Sequence, residues 1–106
     1  MSIPVKLDEL GRALADHDLV YLLTVGPDGV KVLGVTASLD GTDLVVTTSS
    51  PGTARNLADN PSVTVLCPPR EVRGYSLIID GTGRVDGDGF RVTPSGALLH
   101  RPAPVE

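Results

Sequence analysis

The sequence is poor in aromatic residues, since its 106 residues include no tryptophan, one phenylalanine and two tyrosines. A hydrophobic core must therefore be built from Val, Leu, Ile and Ala. Valine is typical of strands, and the 12 glycines and 9 prolines are typical of the turns that join short strands. The composition predicts a mostly β protein, and the length predicts one domain over residues 1–106.

The sequence also has only one cysteine, Cys67, which excludes an intrachain disulfide and favours a reducing compartment. The first residues lack the charged-then-apolar pattern of a secretory signal. The apolar runs are too short to cross a bilayer. We therefore expect a soluble, cytoplasmic protein that does not work in a membrane.

Clustered positive charge is missing as well, and the formal net charge is −4. A nucleic-acid-binding protein needs a basic surface to displace counterions, so we expect no nucleic-acid partner. The two histidines, His17 and His100, have no Cys or His neighbours at ligand spacing. We therefore expect no metal site.

Helical spacing of apolar residues marks the first segment. Ser2 is a suitable N-cap, Pro4 suits a first helical turn, and Leu10 and Leu14 continue one apolar stripe. We predict a helix that ends at Asp16. A second, short helix is predicted over residues 53–59, and Asn60-Pro61 ends it.

The rest of the chain predicts six strands separated by Gly, Pro, Asp and Asn turns. The last residues, 101–106, are expected to be loose. The predicted strands span residues 19–25, 30–39, 43–48, 62–67, 75–85 and 90–93, the last resuming at 97–99.

The first two predicted strands are apolar on both faces, whereas a strand with one solvated face alternates apolar and polar residues. A short chain has one core and cannot bury both faces of several strands. A second subunit or a ligand would cover the other face, and we predict a homodimer. The alternative is that the N-terminal helix covers these strands.

The segment from Thr47 to Leu57 contains the most informative motif, because hydroxyls, a glycine and Arg55 surround a strand-to-helix junction. A helix N-terminus favours anions, and Arg can hold a phosphate with two hydrogen bonds. The alternative is ordinary capping by Ser50 or Thr53, with Arg55 solvated.

Other motifs fail on inspection. Residues 86–89 suggest a calcium loop, but the later ligand positions hold unsuitable residues. The Gly81–Asp86 segment lacks the third glycine of a dinucleotide motif and is typical of a strand with a bulge or a close approach. Cys67 is expected to be a small buried hydrophobe rather than a nucleophile. No catalytic residue is identified.

The order of elements and the motif Thr47-Thr48, Thr53-Ala54-Arg55-Asn56-Leu57 and Asn60-Pro61-Ser62-Val63 resemble the pyridoxamine 5′-phosphate oxidase-like family of flavin-binding split barrels. The resemblance covers roughly residues 7–100. It implies a split β-barrel with short helices, a homodimer, and a flavin mononucleotide (FMN) cofactor between subunits. A deazaflavin, coenzyme F420, is the alternative cofactor.

The resemblance also implies which residues contact the cofactor. Those near the ring would be Lys31, Leu33, Gly34, Val35 and Thr36. Those near the phosphate would be Thr47, Thr48, Ser50, Thr53, Arg55 and Asn56.

Two departures from the family pattern affect the implied activity. Pro51-Gly52 stands where the vitamin oxidases have a basic pair, so Arg55 and hydroxyls would hold the phosphate. Their substrate-binding segment has no counterpart after His100, so vitamin oxidation is not expected. The resemblance implies an oxidoreductase of unknown substrate. The alternatives are a non-catalytic protein that stores or senses flavin, haem or another ligand, and a barrel that has lost its ligand.

Overall fold

A computed structural model describes residues 1–104, in which one antiparallel sheet of eight strands is accompanied by two short α-helices. The mostly β class is confirmed. The strands are β1 (Ser2–Pro4), β2 (Val20–Gly26), β3 (Gly29–Val35), β4 (Ala37–Asp40), β5 (Asp43–Val46), β6 (Ser62–Cys67), β7 (Ser76–Asp86) and β8 (Gly89–His100). The helices are α1 (Leu10–Ala15), preceded by a 3₁₀ turn over Leu7–Glu9, and α2 (Pro51–Asp59).

The strand order is β3-β2-β6-β7-β8-β5-β4, with β1 paired to β8. The two edge strands, β3 and β4, are consecutive in the chain and join at Thr36. Thr36 accepts a hydrogen bond from Thr47 N at 3.2 Å and donates its own N–H to Thr48 Oγ1 at 3.1 Å. These bonds extend the β4–β5 pairing to the Thr36 junction between the two edge strands, and the sheet curls into a half-barrel. The predicted strand over residues 30–39 is therefore two strands.

The core lies inside this curled sheet and contains almost only aliphatic side chains, as the composition predicted. α1 and α2 each add a buried leucine, Leu10 and Leu57, to its ends. Among residues 1–104, Phe90 is the one aromatic side chain in this core. The other buried apolar residues are Leu22, Leu44, Val46, Val63, Val65, Cys67, Leu77, Ile79 and Val92.

The predicted helix at the N-terminus begins too early. Ser2–Pro4 is a strand, and Ile3 pairs with Leu99 of β8. Ser2 Oγ contacts His100 Nδ1 at 2.9 Å instead of capping a helix. The C-terminal half of β8 offers a free backbone edge here, and pairing with it satisfies more backbone groups than an isolated helical turn would.

The end of the sequence forms one twelve-residue strand, β8, rather than two pieces. Pro94 lies within it beside a register shift between Asp80 and Gly81 of β7, and a bulge tolerates a residue without an N–H. A side chain at Gly81 would collide with the Thr93 carbonyl, which confirms the predicted close approach.

Two smaller differences concern helix and chain ends. α2 begins at Pro51, two residues earlier than predicted. Residues 101–104 have no regular structure, and the expectation for residues 105–106 lies outside the described residues. Within residues 1–104, every helix is too short or too polar to cross a membrane.

Arg91 on β8 is the centre of an ion-pair cluster that connects four strands, β4, β5, β7 and β8. Its guanidinium donates to Asp86 at 3.2 Å, to Asp40 at 3.1 Å and to Asp43 at 3.5 Å. Arg84 also donates to Asp43, at 3.3 Å. The cluster joins the β4–β5 and β7–β8 hairpins, because its members come from both.

The pH dependence of stability tests this cluster. Desolvation acts to raise the pKa of Asp43, but hydrogen bonds from Thr93, Arg84 and Arg91 outweigh it and lower that pKa below its usual value. Because the folded-state pKa is lowered, the stabilisation is present near neutral pH and is lost as the pH falls below about 4. Asp43→Asn should lower the midpoint temperature of unfolding near neutral pH. As the pH is lowered, this temperature should fall less steeply in the variant than in the wild type.

The measurement is thermal unfolding of both proteins across this pH range. Asp88→Asn removes the same charge from an exposed turn residue that forms no ion pair within residues 1–104, and it serves as the control. An Asp43→Asn protein with the same midpoint and the same acid dependence as the wild type would contradict the role given to Asp43.

Candidate functional site

Helix α2 starts with ordinary capping chemistry. Ser50 is extended, and its Oγ accepts a hydrogen bond from Thr53 N at 3.2 Å. Pro51 occupies the first helical turn, where a missing N–H costs nothing. Ala54 N donates to the Ser50 carbonyl at 3.0 Å. Within the described residues, the Gly52 N–H is therefore the first-turn amide without an acceptor.

Asn56 fixes this helix to strand β2. Its Nδ2 donates to Thr24 Oγ1 at 3.1 Å, and Thr24 is 1% exposed. The Asn56 amide also packs against Gly26, where any side chain would collide with it. A buried polar pair of this kind costs free energy when one partner is lost, so Asn56 is a positioning residue for α2.

The docking of α2 creates an open groove between the helix and the β2–β3 turn, which we call the helix groove. Its volume is about 470 Å³. The groove contains two cations, two carboxylates, an amide and several glycines. It is lined by Gly26, Pro27, Asp28, Gly29, Val30, Lys31, Gly52, Arg55, Asn56 and Asp59.

Lys31 enters the helix groove from β3, where it pairs with Thr24 of β2. Its side chain crosses Gly52 so closely that a Cβ there would lie 3.2 Å from Lys31 Cε and 3.4 Å from Nζ. Gly52 therefore makes room for Lys31. Helix α2 itself has one cationic side chain, Arg55, and strand β3 supplies the second, Lys31.

Lys31 and Arg55 form no ion pair within residues 1–104. Together with the Gly52 N–H and the positive end of α2, these two side chains form a donor set for an anion. They come from different elements and line the same groove, and donors of this kind suit a phosphate group. The groove is therefore a candidate anion-binding site.

A second groove lies at the other end of β3, beside the Thr36 junction, and we call it the strand groove. Its volume is about 360 Å³. Tyr21 lies against Gly34, where a Cβ would be 3.7 Å from its Cε1. The lining residues are Asp18, Leu19, Val20, Tyr21, Gly34, Val35, Thr36 and Thr48.

The structure divides the predicted cofactor residues between these two grooves. Lys31, Arg55 and Asn56 line the helix groove, and Gly34, Val35, Thr36 and Thr48 line the strand groove. Lys31 was expected near the ring, but it lies beside the start of α2.

Four predicted residues line neither groove. Leu33 is half-buried opposite Leu22, Thr47 is exposed, and Ser50 caps α2. Thr53 is 1% exposed, and its Oγ1 is buried without a partner within the described residues. Burial keeps Thr53 out of the anion donor set.

Sequence reasoning missed the wall of the helix groove formed by the β2–β3 turn, together with Asp59 and Tyr21. Gly26-Pro27-Asp28-Gly29 is recognisable as a turn from sequence. Its position opposite α2 depends on the Asn56–Thr24 contact, which joins residues 32 positions apart. The contacts of Gly26 with Asn56 and of Gly52 with Lys31 that set this position are tertiary, so no local sequence signal reveals them.

Cys67 is fully buried at the end of β6, and burial raises the pKa of its thiol to about 11. The thiol therefore stays protonated near neutral pH and is a poor nucleophile. Within residues 1–104, no three His, Cys, Asp or Glu side chains are grouped to hold a metal.

This burial predicts that Cys67 is inert in the folded protein. A thiol-specific reagent near neutral pH should leave the native chain unmodified and should label it fully in denaturant, because only unfolding exposes the sulfur. Cys67→Ala should keep the same ligand-binding properties. Labelling of the folded protein at the rate of a free thiol would contradict this assignment.

Comparison with known proteins gives two close relatives. Uncharacterized proteins of Mycobacterium bovis and Mycobacterium tuberculosis are each 39% identical over 117 aligned positions, which cover 93% of this chain and 82% of theirs. No family model matches the sequence.

Solved structures extend the comparison. A Listeria innocua protein named "Putative Pyridoxamine 5'-phosphate oxidase" superimposes with a TM-score of 0.73 at 18% identity, covering 88% of this chain and 96% of that one. An FAD-binding protein of Mycobacterium smegmatis gives 0.67 at 18% identity, covering 95% and 100%. An F420 reductase gives 0.64 at 19% identity, covering 81% and 94%.

Proposed function

We propose that this chain binds a flavin-type cofactor in the helix groove. The chain belongs to the same family as the two mycobacterial proteins. It has the split-barrel fold of the pyridoxamine 5′-phosphate oxidase-like proteins. The split-barrel fold predicted from the sequence is confirmed. The cofactor we propose is FMN, with a deazaflavin as the alternative, and the protein would act as an oxidoreductase of unknown substrate.

The presence of Lys31 and Arg55 in one groove beside α2 carries this proposal. Both lack an ion-pair partner within the described residues, and Gly52 adds an N–H without an acceptor. An ammonium, a guanidinium and a helix N-terminus are the donors that a phosphate monoester needs. The residues present therefore fit the phosphate of a flavin mononucleotide.

β3 supplies a path from this phosphate position to the strand groove. Lys31 and Val35 are four residues apart on this edge strand, which corresponds to about 13 Å. A ribityl chain and part of an isoalloxazine ring can cover that distance. Gly34, Val35 and Thr36 would then contact the ring, as the family resemblance implied.

Bound flavin would supply hydride transfer, which is the cofactor's own chemistry. The role of this chain is to hold the phosphate, orient the ring along the β3 edge and exclude water from one side of it.

Titration of variants tests the phosphate site. Arg55→Ala and Lys31→Ala should each weaken FMN binding by about tenfold, because a charged hydrogen bond to the phosphate contributes about 1.5 kcal/mol. Arg55→Lys should recover only part of the loss, since an ammonium cannot form the paired contact.

Riboflavin, which lacks the phosphate, is the matched ligand control. Its affinity should change little in either variant. Arg12→Ala removes an arginine that lies outside both grooves and should leave FMN affinity unchanged. Equal FMN affinity of wild type and both groove variants would overturn the proposed phosphate site.

We also propose that the protein is a homodimer, because the outer face of β2 and β3 carries an apolar patch. Val25 pairs with Val30 and Leu23 pairs with Val32, on the face opposite buried Leu22. The three valines are 47%, 62% and 59% exposed. Such a contiguous apolar patch is typical of an interaction surface, and a second copy would cover it.

A charge placed on this face tests the dimer. Val32→Asp should convert a dimer to a monomer without unfolding it, because residue 32 is exposed in the monomer while a buried carboxylate at the interface would be unpaired. Val72→Asp makes the same change in an exposed loop, where Val72 is 101% exposed, and should leave the dimer intact. Sedimentation of the wild type as a monomer at micromolar concentration would contradict the proposal.

A further inference from the structure

We infer that His17 is a pH-sensitive clamp between helix α1 and the start of strand β7. With both ring nitrogens protonated, the imidazole ring holds the two elements together, and on losing a proton it releases one of them. His17 is half-buried and lines neither the helix groove nor the strand groove. The clamp is therefore independent of the proposed cofactor site.

The His17 ring lies between two carbonyl oxygens. Its Nδ1 is 2.8 Å from the Ala13 carbonyl oxygen in the last turn of α1, and its Nε2 is 2.9 Å from the Tyr75 carbonyl oxygen, just before β7. The backbone is fixed as well, because His17 N donates to the Leu14 carbonyl at 3.0 Å. Both ring nitrogens are thus within hydrogen-bonding distance of a group that can only accept.

The protonation state of the ring decides how many of these contacts are hydrogen bonds. A carbonyl oxygen has no proton to donate, so each contact requires an N–H on the ring. A neutral imidazole has one N–H, and the lone pair on its other nitrogen would face a carbonyl oxygen. The imidazolium has two N–H groups and satisfies both carbonyls. The neutral ring must therefore give up either the Ala13 contact or the Tyr75 contact.

The groups around His17 are compatible with a charged ring. The free carbonyls at the end of a helix carry partial negative charge, which suits a cation. The nearby Arg70 guanidinium is occupied, because its Nε donates to Asp18 Oδ1 and its Nη2 donates to the Ala15 carbonyl, both at 2.9 Å. The other titratable or charged groups on the surrounding elements are Asp16, Glu71, Tyr75 and Arg101, the last of which lies over the Tyr75 ring.

The clamp holds the segment over residues 68–75, which joins β6 to β7, against the end of α1. Arg70 ties the middle of this segment to α1, and His17 ties its end. A cleft of about 270 Å³ lies between the segment and the helix end. The charge of a histidine ordinarily changes between about pH 5 and about pH 8, so the tie through His17 responds to pH in that range. Its release at higher pH would free the Tyr75 end of the segment.

Denaturant unfolding of the wild type and His17→Gln between about pH 5 and about pH 8 tests the clamp. A proton that completes two hydrogen bonds stabilises the folded state, so this contribution is present at low pH and is lost as the pH rises. The unfolding constant of the wild type should increase about tenfold relative to that of His17→Gln across this range, which corresponds to one hydrogen bond to a charged group. Glutamine does not titrate, and its amide can donate at every pH.

His100→Gln is the matched control. The His100 Nδ1 contacts the Ser2 hydroxyl, which can donate or accept, so this contact survives in either protonation state. The control variant should keep the pH dependence of the wild type. The same pH dependence in the wild type and in His17→Gln would overturn the inference.

NMR of the ring N–H groups in the wild type gives a second readout that needs no variant, and it decides the question if His17→Gln does not fold. At about pH 6, where histidine is ordinarily charged, both His17 ring N–H protons should be protected from exchange with water. Above about pH 8, one of them should be lost. A His17 ring with one protected N–H, or none, at the lower pH would overturn the inference.

Discussion

The hydrogen bond from the Asn56 amide to the buried Thr24 hydroxyl is the contact on which the candidate site depends. It holds α2 against β2 at the point where Gly26 leaves space for the amide. With the helix fixed there, its first turn meets the Lys31 side chain, and its last turn meets the β2–β3 turn. Loss of this bond would leave a buried hydroxyl unpaired and would let the two walls of the groove separate. The arrangement of charges in the groove is thus set by one polar contact behind it.

Much of the fold could be predicted from the sequence, because valine-rich runs and Gly, Pro and Asp turns mark strands and their ends. The strand over residues 62–67 is as predicted. The errors occur where distant backbone decides local structure. Ser2–Pro4 pairs with the end of β8, and the strand predicted over residues 30–39 divides at Thr36 to join both sheet edges. Local pattern contains no information on either partner.

The candidate site could be predicted only in part, for the same reason. The junction motif and the family resemblance predicted a phosphate contact at Arg55 near the start of a helix, which begins two residues earlier than predicted. Lys31 could not be placed beside Gly52 without the register of β3 on β2 and the docking of α2. Thr53 was expected near the phosphate, with N-capping as the alternative, and its helical position instead turns it inward. Each outcome depends on which face of an element meets another, which is fixed by tertiary packing.

A crystal structure of the protein with FMN tests the central claim most directly, because it locates the phosphate relative to both cations. The account predicts phosphate oxygens within hydrogen-bonding distance of the Arg55 guanidinium, the Lys31 ammonium and the Gly52 N–H, with the ring along the edge of β3. An ordered FMN whose phosphate contacts none of these three groups would contradict the account.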